Sequence, residues 1–215
     1  MARADELTEE LKLVDVPPFF EPKDQISPGT GIAIMTDARD RKLDFYYWGL
    51  IPSWAKDVTI GRKTFNARSE TILERPAFRN SFKRRRALIP ATSYYEWRTI
   101  NGAKEPFRFS VADEKIFTFA GIWDYWMDAN GNEVYSASIL TTTPNAAVAP
   151  YHTRMPVIIS RKVRERWMTT DDLETAMSYL KPISSDRVII ETVKKISQGS
   201  PDPVVSSLPE QLNLV

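Results

Sequence analysis

Three short polar clusters carry the residue types that proton transfer and anion binding require. The first is Asn66-Ala-Arg68-Ser-Glu70. Alternate side chains of an extended segment share a side, so an amide, a guanidinium and a carboxylate would line one face, suited to a phosphate or a sugar. The same residues could equally close on one another as a surface loop with internal ion pairs. The second cluster, Tyr94-Tyr95-Glu96-Trp97, sets one carboxylate among aromatic side chains. Desolvation there raises a carboxyl pKa and makes a proton donor, whereas strand alternation alone predicts Glu96 outward with Tyr95 and Trp97 inward. The third, Tyr151-His152-Thr-Arg154-Met-Pro156, holds a histidine beside an arginine. It could shuttle a proton near a phosphate or be a histidine hydrogen-bonded in a turn.

Other residues belong to the same argument. Trp48, Trp54 and Trp97 could stack nucleobases, with core packing the default for any one tryptophan. The run Lys83-Arg-Arg-Arg86 reads as a solvated face that could equally touch a DNA backbone. Charge is balanced over the chain, with 29 basic and 28 acidic side chains, so no global field draws it to nucleic acid or membrane. Its distribution is uneven: residues 61–98 are basic in excess and residues 1–24 acidic, and a basic middle is able to present one phosphate-binding face.

The sequence has no cysteine and one histidine. That excludes disulfides, thiolate zinc sites, cysteine nucleophiles and paired-histidine metal sites within these residues, and nothing in them calls for a metal or cofactor. No apolar run reaches the roughly 18 residues of a membrane helix, and the N-terminus is polar and acidic. The expectation is a soluble cytoplasmic protein with no membrane partner.

The elements that must position these clusters are mostly strands. A short helix is predicted over Thr8–Val14, its apolar spacing beginning between Ala4 and Leu7. Pro17-Pro18, Pro22 and Pro28-Gly29 enforce an extended connection. Strands are predicted over Gly31–Met35, Leu43–Leu50, Ala87–Pro90, Ser93–Arg98, Pro106–Ser110, Ile116–Trp123, Val134–Thr142 and Val157–Ile159. Hairpin turns fall at Asn101-Gly102 and at Asp128–Gly131. Thr71–Phe82 holds Pro76 and reads as short helix or irregular. Arg161–Met168 and Asp171–Leu180 read as helices, the second capped by Thr170 or Asp171. The expected fold is a single α+β domain over residues 1–200, a curled, barrel-like, mostly antiparallel sheet with short flanking helices. An irregular tail is expected over 201–215.

Taken in order, the clusters resemble the SOS-response-associated peptidase (SRAP) family. The resemblance rests on Ile26-Ser-Pro-Gly, Trp48-Gly-Leu-Ile-Pro-Ser-Trp54, Asn66-Ala-Arg-Ser-Glu-Thr71, Arg75–Phe78, Ala87-Leu-Ile-Pro-Ala and Tyr95-Glu-Trp97. It continues through Phe119-Ala-Gly-Ile-Trp123, Leu140-Thr-Thr-Thr-Pro-Asn145 and His152-Thr-Arg-Met-Pro-Val-Ile158, covering roughly residues 2–180. An ordered string of this length is far more specific than any single motif.

The resemblance implies an SRAP-like fold and a sensor of abasic sites in single-stranded DNA. In that family an N-terminal Cys, exposed by removal of Met, attacks the ring-opened aldehyde through a Schiff base and closes a thiazolidine crosslink. Carried over, Asn66 would orient the terminal amine, Glu96 would exchange protons and His152 would assist at the deoxyribose, including reversal. Arg68, Arg75 and Arg154 would hold phosphates, and Trp48, Trp54 and Trp97 would floor the single-strand groove. The chain departs from the family at its start: Ala2-Arg-Ala-Asp-Glu-Leu resembles sequence just downstream of the usual Cys-Gly-Arg. The expectation is therefore a truncated or thiol-free form, with truncation the preferred reading. Gln25 replaces an expected Asn, and the segment after Leu180 diverges. The leading expectation is an abasic-site protein without the stable crosslink, its enzyme status open. The alternatives are a peptidase or self-processing hydrolase, for which no Ser stands in a recognisable elbow, and a non-catalytic single-stranded DNA-binding module. Protein partners are not indicated.

Overall fold

A computed structural model of the chain describes residues 2–193. The predicted tail at 201–215 lies outside the described residues.

The chain opens with α1 (Ala4–Leu11), which buries Leu7 and Leu11, one turn apart on a single face. It starts at Ala4, where the apolar spacing begins and four residues before the predicted Thr8, because Glu6 Oε2 accepts from the Arg3 backbone N–H at 2.9 Å. That bond satisfies a donor that a helix start otherwise leaves open. Two strands follow, β1 (Gly31–Ile34) and β2 (Asp44–Trp48), then a 3₁₀ turn at Val58–Lys63 and β3 (Asn66–Arg68). The Thr71–Phe82 segment resolves into irregular chain and a short α2 (Arg79–Arg84), which begins after Pro76, whose missing N–H and ring clash keep it out of a helix interior.

Next come β4 (Arg86–Ala91), β5 (Tyr94–Ile100), β6 (Ala103–Val111), β7 (Phe117–Met127) and β8 (Glu133–Thr142). Asn101 and Gly102 both have positive φ, 51° and 82°, the geometry that lets a two-residue loop match strand twist. At the β7–β8 turn Asp128 Oδ1 accepts from the backbone N–H groups of Asn130 and Asn132. The expected strand at Val157–Ile159 is instead two fragments, β9 (Met155–Pro156) and β10 (Ile158–Ile159). They step from β8 to β7: Thr141 pairs with Pro156, and Phe119 with Ile158.

The chain closes with α3 (Arg164–Thr169), α4 (Leu173–Ser178) and β11 (Val188–Thr192). The cap of α4 is Asp172, whose carboxylate accepts from Glu174 N and Thr175 N, rather than Thr170 or Asp171. β11, which the sequence reading did not assign, lies along β6.

Two sheets result. The larger holds β1, β2, β8, β7 and β10 in that order, with β3 and β9 also on β8 and β4 on β7. It curls until Met35, just past β1, and Leu88 on β4 exchange two backbone hydrogen bonds of 2.9 Å. The smaller sheet is β11-β6-β5. Most pairs are antiparallel, as the hairpins predict, but β8 runs parallel to both β2 and β3. One face of the large sheet packs against α1, α3 and α4 through Ala33, Leu88, Ala120, Leu140, Leu11 and Trp167. The opposite face carries Ile32, Ile34, Ile89, Phe119, Ala137 and Ile139 and meets Tyr94 of the small sheet. This is the single α+β domain with a strongly curled sheet and few short helices that the pattern predicts. No helix among the described residues is long and apolar enough to cross a membrane.

Candidate functional site

The site is built where β3 joins β8. Ala67 is buried among the helix-side core, so Asn66 and Arg68 turn to the opposite face and are exposed. Asn66 stands beside Ile139 and Arg68 beside Thr141. Trp48 stands beside Ala137 on the same face, and its indole Nε1–H donates to the Phe65 carbonyl at 2.9 Å. A close approach of two glycines permits this arrangement. A Cβ on Gly49 would lie 2.4 Å from the Gly61 carbonyl oxygen, so the turn before β3 packs directly against the end of β2.

Glu70, two residues past Arg68, is engaged by Arg154. The guanidinium donates through Nη1 to Oε1 at 2.8 Å and through Nη2 to Oε2 at 2.7 Å, and again through Nη2 to the Thr141 carbonyl at 2.7 Å. This bidentate pair holds the Glu70 carboxyl below the ordinary range. Of the two readings of the first cluster, ion pairing therefore holds for Glu70, while Asn66 and Arg68 remain open.

Arg154 in turn brings its neighbour His152 to the rim of the small sheet. The His152 Nδ1 lies 3.0 Å from the Arg154 carbonyl and 3.5 Å from Glu96 Oε1, and the Arg154 N–H points to it at 3.3 Å. Two acceptors against one donor favour the Nδ1–H tautomer, which leaves Nε2 an acceptor. The turn that delivers His152 is tied by Asn145. Its Oδ1 accepts from Ala147 N and Val148 N, and its Nδ2–H donates to the Ile183 carbonyl. Asn145 was not singled out from sequence, although a Pro-Asn pair ahead of an apolar residue is a turn signal.

Glu96 sits on β5 directly across from Phe107. Phe107, Phe109, Tyr94 and Tyr151 pack there as one aromatic cluster. Burial among these rings pushes the Glu96 carboxyl above its ordinary range, and His152 partly opposes the shift. The alternation expected for β5 is thus reversed. Tyr94 and Glu96 face in, while Trp97 is 44% exposed. The small sheet needs Tyr94 against Phe109 and Phe119, and that packing sets the parity of the strand. Burial also raises the Tyr94 hydroxyl's pKa.

The remaining candidates divide. Arg75 is exposed on the segment following Glu70, its backbone N–H bonded to the Thr71 carbonyl. Trp54 is 55% exposed, but its loop packs on the other side of β8. There Ile51 N donates to Ser136 Oγ, and the Trp126 indole donates to the Ala55 carbonyl. Trp54 lines a separate pocket of about 460 Å³ with Lys56 and Lys63. The basic run 83–86 is only half solvated. Lys83 and Arg84 are exposed, whereas Arg85 binds the buried Asp124 at 2.7 Å. Arg86 is buried and donates to the carbonyls of Phe82, Lys83, Trp167 and Thr170. Those carbonyls, orphaned where α2 and α3 end, are what the guanidinium satisfies. Among the described residues no group of His, Cys, Asp or Glu could hold a metal ion.

Glu96, His152, Arg154 and Glu70 therefore form one connected group, and Asn66, Arg68 and Trp48 line the adjoining face. A desolvated carboxyl facing an imidazole, beside an exposed amide and guanidinium, suits proton exchange on a polar, anionic ligand. Relatives carry the same architecture. The chain is 37% identical over 171 residues to the abasic site processing protein YoqW of Bacillus subtilis, covering 78% of this chain and 76% of that one. It is 38% identical over 166 residues to YoaM of the same organism, likewise an abasic site processing protein, covering 76% and 72%. Among solved structures, a protein from Bacteroides thetaiotaomicron matches with 33% identity and a TM-score of 0.71 over 76% of this chain and 74% of that one. One from Bordetella bronchiseptica matches with 25% identity and a TM-score of 0.78 over 91% and 97%. The family model described as "SOS response associated peptidase (SRAP)" matches residues 1–197, a span that takes in every cluster described above, and the chain belongs to that family.

Proposed function

We propose that this chain binds abasic sites in single-stranded DNA and exchanges protons with the exposed deoxyribose through Glu96 and His152. The observation that carries the reading is the Glu96–His152 pair: a carboxyl held protonated more readily than in water, 3.5 Å from a half-exposed imidazole. A ring-opened deoxyribose presents an aldehyde and a hydroxyl, which need a proton donor and an acceptor within reach. Asn66 offers an amide to the same sugar. Arg68 and Arg75 are the exposed cations for flanking phosphates. Arg154 acts chiefly by holding its own segment, and with it His152, against Glu70 and Thr141. Trp48 and Trp97 flank the group, whereas Trp54 lines a separate pocket with Lys56 and Lys63.

The relatives' names, abasic site processing proteins, support the ligand class. Bases beside an abasic site in a single strand are unpaired, with ring faces free to stack on exposed aromatic side chains such as Trp97. Ala2 packs among Leu7, Leu11 and Trp167 on the helix-covered face, away from Glu96. The 215 residues contain no thiol, and a thiazolidine cannot close without one.

The test is fluorescence anisotropy with single strands that are intact or carry one abasic site, and with the matching duplexes. The abasic single strand should bind tightest, with affinity falling steeply as salt rises through counterion release. A denaturing gel should show no heat-stable adduct. Equal affinity for all four DNAs would sink the reading.

A further inference from the structure

The face of β8 that meets Asn66 and Arg68 at one end carries aromatic rings at the other. Residues two apart on a strand point the same way, so Thr141, Ile139, Ala137 and Tyr135 form one row. Their neighbours extend it sideways: Arg68 beside Thr141, Asn66 beside Ile139, Trp48 and Trp123 beside Ala137, and Tyr125 beside Tyr135. Tyr46, two residues before Trp48, packs on this row, its ring centroid 5.6 Å from Trp123 and 5.3 Å from Tyr135. Trp123 and Tyr125 lie 6.4 and 6.1 Å from Tyr135, each tilted from it by about 30°. The Arg85 guanidinium stands 5.5 Å from the Trp123 ring and 5.2 Å from that of Tyr125.

This is not finished packing. Tyr46 is buried, yet Tyr125 and Tyr135 leave 39% and 40% of their surface to water. α2, whose exposed Lys83 and Arg84 add positive charge, adjoins the row where Trp123 N donates to the Arg85 carbonyl at 3.0 Å. The Tyr135 hydroxyl donates to Glu133 Oε2 at 2.8 Å and Arg85 is paired with Asp124. The open features are therefore the ring faces themselves and the exposed Lys83 and Arg84, which match a nucleobase with its phosphate better than an aliphatic partner. Four steps along β8 take Tyr135 to Ile139, the neighbour of Asn66, or about 13 Å. A single strand covers that distance in about two to four nucleotides at stacked to stretched spacing.

We propose that Tyr125 and Tyr135, backed by Trp123 and Arg85, are a base-stacking platform for nucleotides lying two to four positions to one side of the lesion. The phosphates there run past Lys83 and Arg84. The inference rests on the reading of this face as the DNA-binding face.

The experiment uses the 215-residue chain and single strands carrying a stable abasic analogue, with both flanks long or with either flank cut back to one nucleotide. Tyr125→Ala/Tyr135→Ala should bind the long strand about tenfold more weakly than the unmodified chain, the size expected for losing a base stacked on a ring. Its affinity should be unchanged on one of the two shortened strands. The unmodified chain should lose the same factor when that one flank is removed, and Tyr125→Phe/Tyr135→Phe should bind as it does. Unchanged binding of the long strand by the alanine variant, or an equal loss on all three strands, would overturn the platform while leaving the DNA reading standing. No binding of any strand by the unmodified chain would overturn both. Thermal unfolding controls for folding, and Tyr135→Leu, which keeps apolar cover but removes the ring, replaces the alanine variant if that variant unfolds. A dimer that the substitutions turn into a monomer would assign the patch to a second copy of the chain and overturn the proposal.

Discussion

Two charged clusters in this molecule are built from similar groups and have opposite character. Beneath α1, Glu10 accepts from Arg161 at 2.7 Å and from Arg164 at 2.8 Å. Glu114 is shared by Arg187, by Arg164 at 3.7 Å and by Arg161 at 4.0 Å. Arg164, buried, also donates through Nε to Thr118 Oγ1. Each charge has an opposite charge within 4.0 Å, although Glu114 Oε2 and Arg164 Nη2 make no hydrogen bond among the described residues. At the rim of the small sheet Glu96 has, among the described residues, only His152 as an opposite charge, at 3.5 Å, and is held among rings that disfavour its own charge. Removing one member of such a largely buried network destabilises a fold, because the opposite charges it faced are left short of a partner. A pair left underanswered and open on one side stores chemistry for a ligand.

The largest effect expected from this contrast is on stability. Arg164→Met should destabilise the chain by about 3–5 kcal/mol, since it leaves Glu10 and Glu114 short of a partner in a buried setting. Thermal and urea unfolding measure it, and a loss under about 1 kcal/mol would erase the distinction. Arg86→Ala should cost about 3 kcal/mol or more by stranding carbonyls at two helix ends. Arg84→Ala, two positions away and exposed, should leave stability within about 0.5 kcal/mol.

Smaller effects belong to the open site. Arg68→Ala should weaken single-strand binding and reduce the salt slope by about 1, as for one lost phosphate contact. Arg84→Ala should lose less, because Arg84 borders the flanking nucleotides and not the lesion, while Arg85 is tied to Asp124 and its removal would disturb β7. A larger loss for Arg84→Ala would move the phosphates nearest the lesion to α2. Glu96→Gln should leave stability at neutral pH unchanged or raised. The folded-state pKa of Glu96 is above its ordinary value, so the folded chain binds the extra proton. Stability therefore falls as pH rises from the ordinary carboxylate range through that raised value. The substitution should flatten this fall in urea midpoints measured across the acid range. Glu70 has the opposite sign: its lowered pKa contributes stability at neutral pH that is lost as acid protonates it, so Glu70→Gln should flatten the low-pH limb instead. If Glu96→Gln steepened the pH dependence, the assignment of a desolvated carboxyl would be wrong.

Much of the fold was legible because its signals are local. Asn101-Gly102 dictates its own turn, and Asp128 caps the next one with its own carboxylate. The alternation at Asn66-Ala67-Arg68 needs only the strand's period of two. The parity of β5 was misread because Tyr95 and Trp97 look apolar in isolation. The partner that decides, Phe119, comes from a different strand. β11 was missed for the same reason: Val188–Thr192 is an ordinary apolar run until β6 offers it an open edge.

By themselves, the residues determined the turns, the strand-rich class, the absence of thiol chemistry within these 215 residues and the three clusters able to move protons or hold anions. The tertiary structure alone decided which charges are spent. It closed Arg85 on Asp124, Arg86 on four carbonyls and Arg154 on Glu70. It left Arg68 exposed and set Glu96 against His152 among aromatic rings. The physical reason is that a charge's worth depends on its solvent exposure and on the opposite charge beside it. Both are properties of chain segments that meet only after the sheet has curled.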